Sequence, residues 1–449
     1  MPASAPPLWS PSPERVADAA ITRYAAWVER TRGVEVAGSY DALWRWSVDD
    51  LEGFWASIWQ RFGVAGSFDT VLASRQMPGA QWFPGTRVNY AAHVFTGKDD
   101  AALAIQHASE SRPLAAWTWR ELRRETARIR AGLVALGVGE GDRVAAFLPN
   151  IPETVAAFLA TASLGAIWSS AAPEFGARAV IDRFAQIDPK VLLAVDGYRY
   201  GGRDFDAAEK LAAIAAEMPD TNIVRLGYLD DAGWPDGFLG PDGALEFAQV
   251  AFDHPLWVLY SSGTTGLPKA IVHGHGGMLL EHLKKMHLHL DAQAEDRVFW
   301  FSTTGWMMWN FLVGVLLTDA SIVLWDGNPA GDVLWDLAAD SGTTVFGGGA
   351  AYFAGAMNDG AEPAKGRDLS KLHAIGSTGS PLSPEVFAWI YEKFGADTWL
   401  FSTSGGTDVC TAFVGGVPIL PVYEGELQAP SLGCKVEAWS EAGESLVNA

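Results

Sequence analysis

The chain has 449 residues, 49% hydrophobic and 19% charged, and acidic residues outweigh basic ones to a net charge of −21. At roughly 100–200 residues per domain this length accommodates two to four compact units, and the apolar fraction is enough for a buried core, which excludes intrinsic disorder. A field of that sign disfavours nucleic-acid backbones and anionic membranes as partners, while leaving room for a local pocket that binds an anionic small molecule.

Residues 1–97 form a stretch of their own. It opens with Pro6, Pro7, Pro11 and Pro13 and has no basic start followed by an apolar run, unlike a signal peptide. Tryptophans recur at positions 9, 27, 44, 46, 55, 59 and 82. Leu51, Phe54, Trp55 and Ile58 fall at helix spacing, so the pattern predicts a helix over 43–62 within an extension that wraps the main body. Phe83-Pro84-Gly85-Thr86 is a turn signal.

From about residue 98 strands and helices alternate. Thr118 and Glu121 have capping-box spacing, Leu122, Ile129, Leu133 and Leu136 make an apolar stripe, and Gly137 ends the helix. Arg143 to Leu148 reads as a strand, Pro152 to Leu164 as a helix, and Ala166 to Trp168 as the start of a strand. Two more cycles follow: helix 177–186 with strand 191–195, and helix 207–217 with strand 223–226. Such alternation argues for parallel sheets covered on both faces. After a Gly/Asp/Pro loop over 230–243 comes the apolar strand 257–260. The apolar run from Trp309 to Leu317 is about half the ~18–20 residues a membrane helix needs.

The strand at 257–260 leads directly into Ser261-Ser262-Gly263-Thr264-Thr265-Gly266-Leu267-Pro268-Lys269. Glycines let successive N–H groups converge on an anion, the hydroxyls add donors, and the lysine supplies a point charge for phosphate. The run does not fit a Walker A loop. His273, His275, His282, His287 and His289 follow closely. They lack the spacing of a metalloprotease site, so they are read as structural rather than metal-binding. Cys410 and Cys434 are the two cysteines; they lack zinc-ligand spacing and are too few for a disulfide framework, which points to a reducing cytoplasm.

This nine-residue run resembles the phosphate loop of the acyl-adenylate-forming (AMP-binding) superfamily. Residues 139–153, 301–306, 376–382 and 401–408 agree with its other motifs in order, and the likeness covers about 98–440. The N-terminal stretch resembles the extension of acetyl- and acetoacetyl-CoA synthetases. The resemblance implies an α/β fold: an adenylation body over 98–449, with two packed α/β sheet subdomains and a smaller β subdomain, preceded by a helical extension over 1–97. It also implies a segment with a Tyr-x-x-Gly-Asp pattern and a C-terminal cap carrying a further lysine. Neither occurs before Ala449, so the expectation is a body without its cap and with weakened adenylation.

Carried over by position, the resemblance implies that Ser261, Ser262, Gly263, Thr264, Thr265, Gly266 and Lys269 hold the β- and γ-phosphates of ATP. Gly379, Ser380 and Pro381 border the adenine with Thr403 and Ser404 nearby, and Thr407 sits at the α-phosphate. Asp408 stands where most members have a magnesium-binding glutamate, with Ser261 as a second contact for Mg2+. Acetyl-CoA synthetases close the acyl pocket with a tryptophan three residues before that acid; here Gly405 and Gly406 follow Ser404. Met307 and Met308, next to Trp306, replace smaller residues. The implied acid is therefore acetoacetate, with Thr378 or Ser377 receiving its keto oxygen, Gly347 to Gly349 widening the site, and a tryptophan at 405 shifting preference toward acetate. The implied reaction is attack of the carboxylate on the α-phosphorus of ATP, release of pyrophosphate, then capture of the acyl-adenylate by coenzyme A. Ligation of acetate, propionate or butyrate, or a non-catalytic nucleotide-binding module, are the alternatives.

Overall fold

The computed structural model describes residues 6–261 and 266–446. Its N-terminal part is built from helices Pro13–Asp18, Ala20–Arg32, Tyr40–Asp49 and Leu51–Arg61. The single helix predicted over 43–62 is two. Asp50 leaves the helical region at φ −112° and ψ 71°, and its carboxylate accepts the Gly53 N–H at 2.9 Å. An aspartate inside an apolar pattern thus ends one helix and caps the next.

These helices lie against residues from the far end of the chain. The Leu8 N–H donates to the Val422 carbonyl at 2.8 Å, and Trp9 stacks on Trp399 with ring centroids 6.4 Å apart. The Trp44 indole donates to the Cys434 carbonyl at 3.0 Å, while the Gly433 N–H donates to the Ser47 hydroxyl at 2.8 Å.

The principal strands, in chain order, begin with Leu103–Ser109 (β1), Ala115–Thr118 (β2), Arg143–Phe147 (β3), Ile167–Ala171 (β4) and Val191–Val195 (β5). Next come Asn222–Leu226 (β6), Pro255–Ser261 (β7), Lys269–Gly274 (β8), Arg297–Trp300 (β9) and Ser321–Asp326 (β10). Val345–Gly349 (β11), Ala374–Thr378 (β12), Trp399–Ser402 (β13), Ser404–Gly406 (β14), Thr411–Gly415 (β15) and Ala429–Pro430 (β16) complete the series.

They form a six-stranded sheet in the order β6-β5-β3-β4-β7-β8, a seven-stranded sheet in the order β13-β12-β11-β9-β10-β1-β2, and a small sheet β14-β15-β16. Both large sheets are parallel except at one edge, where β8 runs antiparallel to β7 and β2 antiparallel to β1. The parallel sheets are what the strand–helix alternation implies, and two such units with a smaller β unit are what the resemblance implies.

The capping box forms as predicted. The Thr118 side chain accepts from the Glu121 N–H, the Glu121 carboxylate accepts the Thr118 N–H at 2.7 Å, and the helix runs Trp119–Ala135. Helix Pro152–Ser163 is buried on almost every side. Its Phe158 ring meets Trp168 and Trp257 of the first sheet at 5.9 and 5.5 Å and Trp309 of helix Met307–Gly314 at 6.0 Å. One aromatic core therefore serves both sheets, which fixes their mutual placement.

Among the elements that the sequence does not announce is the hairpin Gly197–Tyr200 and Arg203–Asp206. Its turn N–H groups at Gly201 and Gly202 donate to the Glu110 carboxylate at 2.8 and 2.7 Å. Four-residue strands are too short for period-2 patterning to be seen. Among the described residues no helix is long and apolar enough to cross a membrane.

Candidate active site

A cavity of about 550 Å³ opens where β9, β12 and β13 end. Ligands of open α/β sheets bind beyond the carboxyl ends of parallel strands, and this volume suits a small-molecule site. Trp300 closes β9, and the chain then passes through Trp306 into helix Met307–Gly314, which sends Met307, Met308 and Phe311 to the wall. Thr378 closes β12 and leads into Gly379, Ser380 and Pro381 on the next wall. Thr403, Ser404, Gly405 and Thr407 follow β13 and complete the ring. The predicted adenine-side and acyl-side residues are thus brought into one cavity. Trp300, Phe311, Leu382, Phe387 and the segment 425–427 also line it. Sequence reasoning missed Trp300, Phe311 and Phe387 because apolar residues at strand and helix positions read as ordinary core. It missed Leu382 and 425–427 because they lie in loops, the first at the end of the 376–382 motif and the second without a motif of its own; the one available signal was that Trp300 is the last residue of a strand.

The Thr378 hydroxyl donates to the Thr403 carbonyl at 2.8 Å, and the Thr403 N–H donates to the Ser377 carbonyl at 2.8 Å. The proton that was to meet a keto oxygen is therefore committed to the backbone, since a ketone only accepts. Ser377 is fully buried in β12 and is not a lining residue, although its hydroxyl has no partner among the described residues. Thr378 contributes shape and a clamp between β12 and β13, not a free donor.

The two glycine arguments also change. A Cβ at position 405 would stand 1.9 Å from the Thr411 carbonyl oxygen. Gly405 is there because β14 and β15 approach closely, and it offers the cavity backbone alone; an indole at 405 does not fit without displacing β15. At position 347 a Cβ would lie 2.1 Å from the Trp300 ring. The missing side chain at Gly347 is thus replaced by an indole, and the cavity is not widened there. A Cβ on Gly348 or Gly349 would meet its nearest neighbours at 3.4 and 3.9 Å, ordinary contact distances.

Ser262, Gly263, Thr264 and Thr265 lie outside the described residues. Ser261 ends β7 and pairs with Lys269 at the start of β8, so the predicted phosphate loop is the connection of an antiparallel hairpin. Gly266, at φ 137°, and Lys269 are exposed. Thr407 and Asp408 occupy the turn between β14 and β15, with the Asp408 side chain in solvent and Thr407 on the cavity wall. Among the described residues no three His, Cys, Asp or Glu side chains gather as a metal cage. One exposed carboxylate with a hydroxyl in the facing hairpin suits a magnesium ion that keeps its waters and shares substrate phosphates.

Each histidine of the cluster has a specific packing or bonding role. His275 Nδ1 accepts the Tyr90 N–H at 3.1 Å, and His282 Nδ1 pairs with the Tyr90 hydroxyl at 2.8 Å. His287 stacks on Phe62 with centroids 4.5 Å apart. His289 bonds the Gly416 carbonyl at 3.0 Å and accepts the Leu432 N–H at 3.2 Å. Burial pushes His275 and His282 down to about 3, so both are neutral at physiological pH. His273 donates through Nε2 to the Asp408 carbonyl at 3.0 Å.

A family model described as AMP-binding enzyme matches residues 96–439, and one described as acetyl-coenzyme A synthetase N-terminus matches residues 40–94. The chain is 41% identical to an acetoacetyl-coenzyme A synthetase of Rhizobium meliloti (strain 1021), over 97% of this chain and 69% of that protein. It is 38% identical to an acetoacetyl-CoA synthetase of Xenopus tropicalis, over 98% of this chain and 69% of the relative. The solved structure of an acetoacetyl-CoA synthetase from Streptomyces lividans superposes with a TM-score of 0.94 at 48% identity, covering 98% of this chain and 71% of that one. Matches of this extent and identity establish that the chain belongs to the AMP-binding enzyme family, in the group of the acetoacetyl-CoA synthetases.

Proposed function

We propose that this protein ligates acetoacetate to coenzyme A at the expense of ATP, through an acetoacetyl-adenylate. The observation that carries the reading is the single cavity in which the 306–308, 378–381 and 403–407 segments meet. It stands beside a chain whose similar proteins are named acetoacetyl-CoA synthetases.

In the first half-reaction the acetoacetate carboxylate attacks the α-phosphorus, the α–β phosphoanhydride bond breaks, and pyrophosphate leaves. In the second the coenzyme A thiolate attacks the acyl carbon and AMP departs. No side-chain nucleophile is required; in-line positioning and charge neutralisation supply the rate. In this reading the hairpin loop from Ser261 to Lys269 holds the β- and γ-phosphates, with Lys269 as its fixed charge. Gly379, Ser380, Pro381, Thr403 and Ser404 hold the adenosine, and the Thr407 hydroxyl faces the α-phosphate. Trp306, Met307 and Met308 wall the acyl chain with the backbone of Gly405 and the methyl face of Thr378. Asp408 and Ser261 hold Mg2+, which when bound shields the phosphate charge.

The same reading divides the chain into an N-terminal extension, residues 1–97, and an adenylation body, residues 98–449. It makes the partners small molecules and not nucleic acid or membrane, and places the protein in the cytoplasm. Pyrophosphate exchange driven by single acids tests it. Exchange with acetoacetate is expected to exceed that with acetate or butyrate at least roughly tenfold, the scale of one or two lost pocket contacts. Equal or faster exchange with acetate overturns the substrate assignment.

A further inference from the structure

The turn that carries Asp408 is held from behind. Residues 407–410 close the hairpin between β14 and β15, and the Cys410 N–H donates back to the Gly406 carbonyl at 3.0 Å. Cys410 takes φ +53°, a left-handed conformation that costs a non-glycine residue on the order of 1 kcal/mol and persists only when its surroundings enforce it. Three contacts do so. The Cys410 side chain is fully buried. The Thr411 hydroxyl donates to the Glu281 carboxylate at 2.6 Å, and that carboxylate also accepts from the buried Lys284 ammonium at 2.8 Å. His273 reaches the Asp408 carbonyl itself. Because a carbonyl only accepts, Nε2 must carry the proton, and Nδ1, buried and unpartnered among the described residues, carries none in the neutral ring.

His273 lies on β8, four residues beyond Lys269, so one strand carries both the end of the phosphate hairpin and the group that grips the acidic turn. We propose that His273 is a positioning residue: its Nε2–H holds the Asp408 main chain and so sets the carboxylate at a fixed place relative to the phosphate hairpin. This rests on the reading of Asp408 as the magnesium ligand. The histidine touches neither substrate nor ion; it acts through the backbone of the residue that does. An acid on an exposed turn has few contacts of its own to define its direction, which makes the backbone grip the determinant.

The test compares ATP binding by calorimetry in excess Mg2+ and in EDTA for the full chain and three variants. Gln places an amide N–H where Nε2 is, whereas the amide of Asn ends at the δ position and falls short. His273→Gln is expected to keep the Mg2+-dependent gain in ATP affinity within about twofold of the parent protein. His273→Asn is expected to lose roughly fivefold of that gain, the worth of one hydrogen bond, with affinity in EDTA unchanged. Asp408→Asn is expected to abolish the gain. If His273→Asn keeps the full gain, or weakens binding equally in Mg2+ and EDTA, the residue is structural and the inference falls while the Asp408 reading stands. If Asp408→Asn keeps the gain, the metal reading fails and the inference fails with it. Thermal unfolding checks each variant. Should the Asn form not fold, a folded Gln variant decides alone: retention of the gain supports the grip, and its loss overturns it.

Discussion

Gly405 and Gly406 are adjacent, chemically identical and structurally opposite. A Cβ on the first would collide with the Thr411 carbonyl, whereas on the second its nearest neighbour would be the Phe413 ring at 4.0 Å. Gly405→Ala is therefore expected to disorder the β14–β15 hairpin and weaken ATP binding at least tenfold, while Gly406→Ala leaves binding within about twofold. Calorimetric titration of ATP into both variants separates them, and equal effects would contradict the strand spacing. In the sequence the pair is legible as a departure from a bulkier relative, and that comparison suggests an enlarged acyl pocket. It does not reveal which side of the backbone the missing side chain would occupy. That depends on a partner strand whose register, with its irregularity between Ser404 and Gly405, is a tertiary property. The commitment of the Thr378 hydroxyl to Thr403 was hidden for the same reason. By contrast, membership of the cavity was legible for Trp306, Met307, Met308 and the residues around Ser380 and Thr407, because motif order along parallel strands maps onto position around a shared mouth.

At the scale of elements, local chemistry was the better guide. The Thr118/Glu121 box starts its helix where the spacing places it, and the Glu121 carboxyl is held below the usual range first by the Thr118 backbone N–H and then by its hydroxyl. Thr118→Ala removes one arm of that box and is expected to cost about 1 kcal/mol of unfolding free energy, read by urea denaturation, without altering ATP affinity. Asp50 shows where such reasoning loses resolution. The apolar stripe through Leu51, Phe54 and Ile58 continues the period of the preceding helix, so the break shows in the Asp50 backbone angles and in the Gly53 N–H that the Asp50 carboxylate accepts. The strand β8, beyond Lys269, is not announced by its sequence for a related reason. As an edge strand it is largely exposed, with the Val272 side chain in solvent, and it lacks the buried alternation by which strands are recognised. The histidines from His273 to His289 are placed by contacts across the fold. Their partners, Tyr90, Asp408, Gly416 and Leu432, are so distant in sequence that nothing local announces them.

For the molecule as a whole, one buried acid ties stability to pH. Asp326 closes β10 with a hydrogen bond from the Tyr228 hydroxyl at 2.8 Å. Burial, reinforced by Glu174 and Glu110, pushes its carboxyl up to about 7. The folded state thus holds a proton that the unfolded chain, with an ordinary aspartate near 4, releases earlier. Its stabilising contribution is complete below about pH 4, declines as pH rises toward 7, and is gone above. Asp326→Asn keeps a neutral acceptor for Tyr228 and is expected to gain on the parent protein between pH 5 and 8, by up to roughly 4 kcal/mol. Urea midpoints across that range check the sign; a gap that narrows with rising pH would refute it.

The seam between the first helices and the last strands has a consequence in time. The Trp44 indole and the carbonyl it donates to, that of Cys434, are separated by 390 residues. At a synthesis rate of about 5–20 residues per second, the segment that receives the N-terminal helices emerges on the order of tens of seconds after them. Throughout that interval the faces bearing Trp9, Trp44 and Ser47 have nothing to cover them, and an isolated helix of ten or so residues is marginal in water. The extension is therefore made well before the segment that holds it and is among the last parts to settle. Its many tryptophans, which look like surplus in the composition, are what allow a late and distant partner to capture it with enough apolar area to hold.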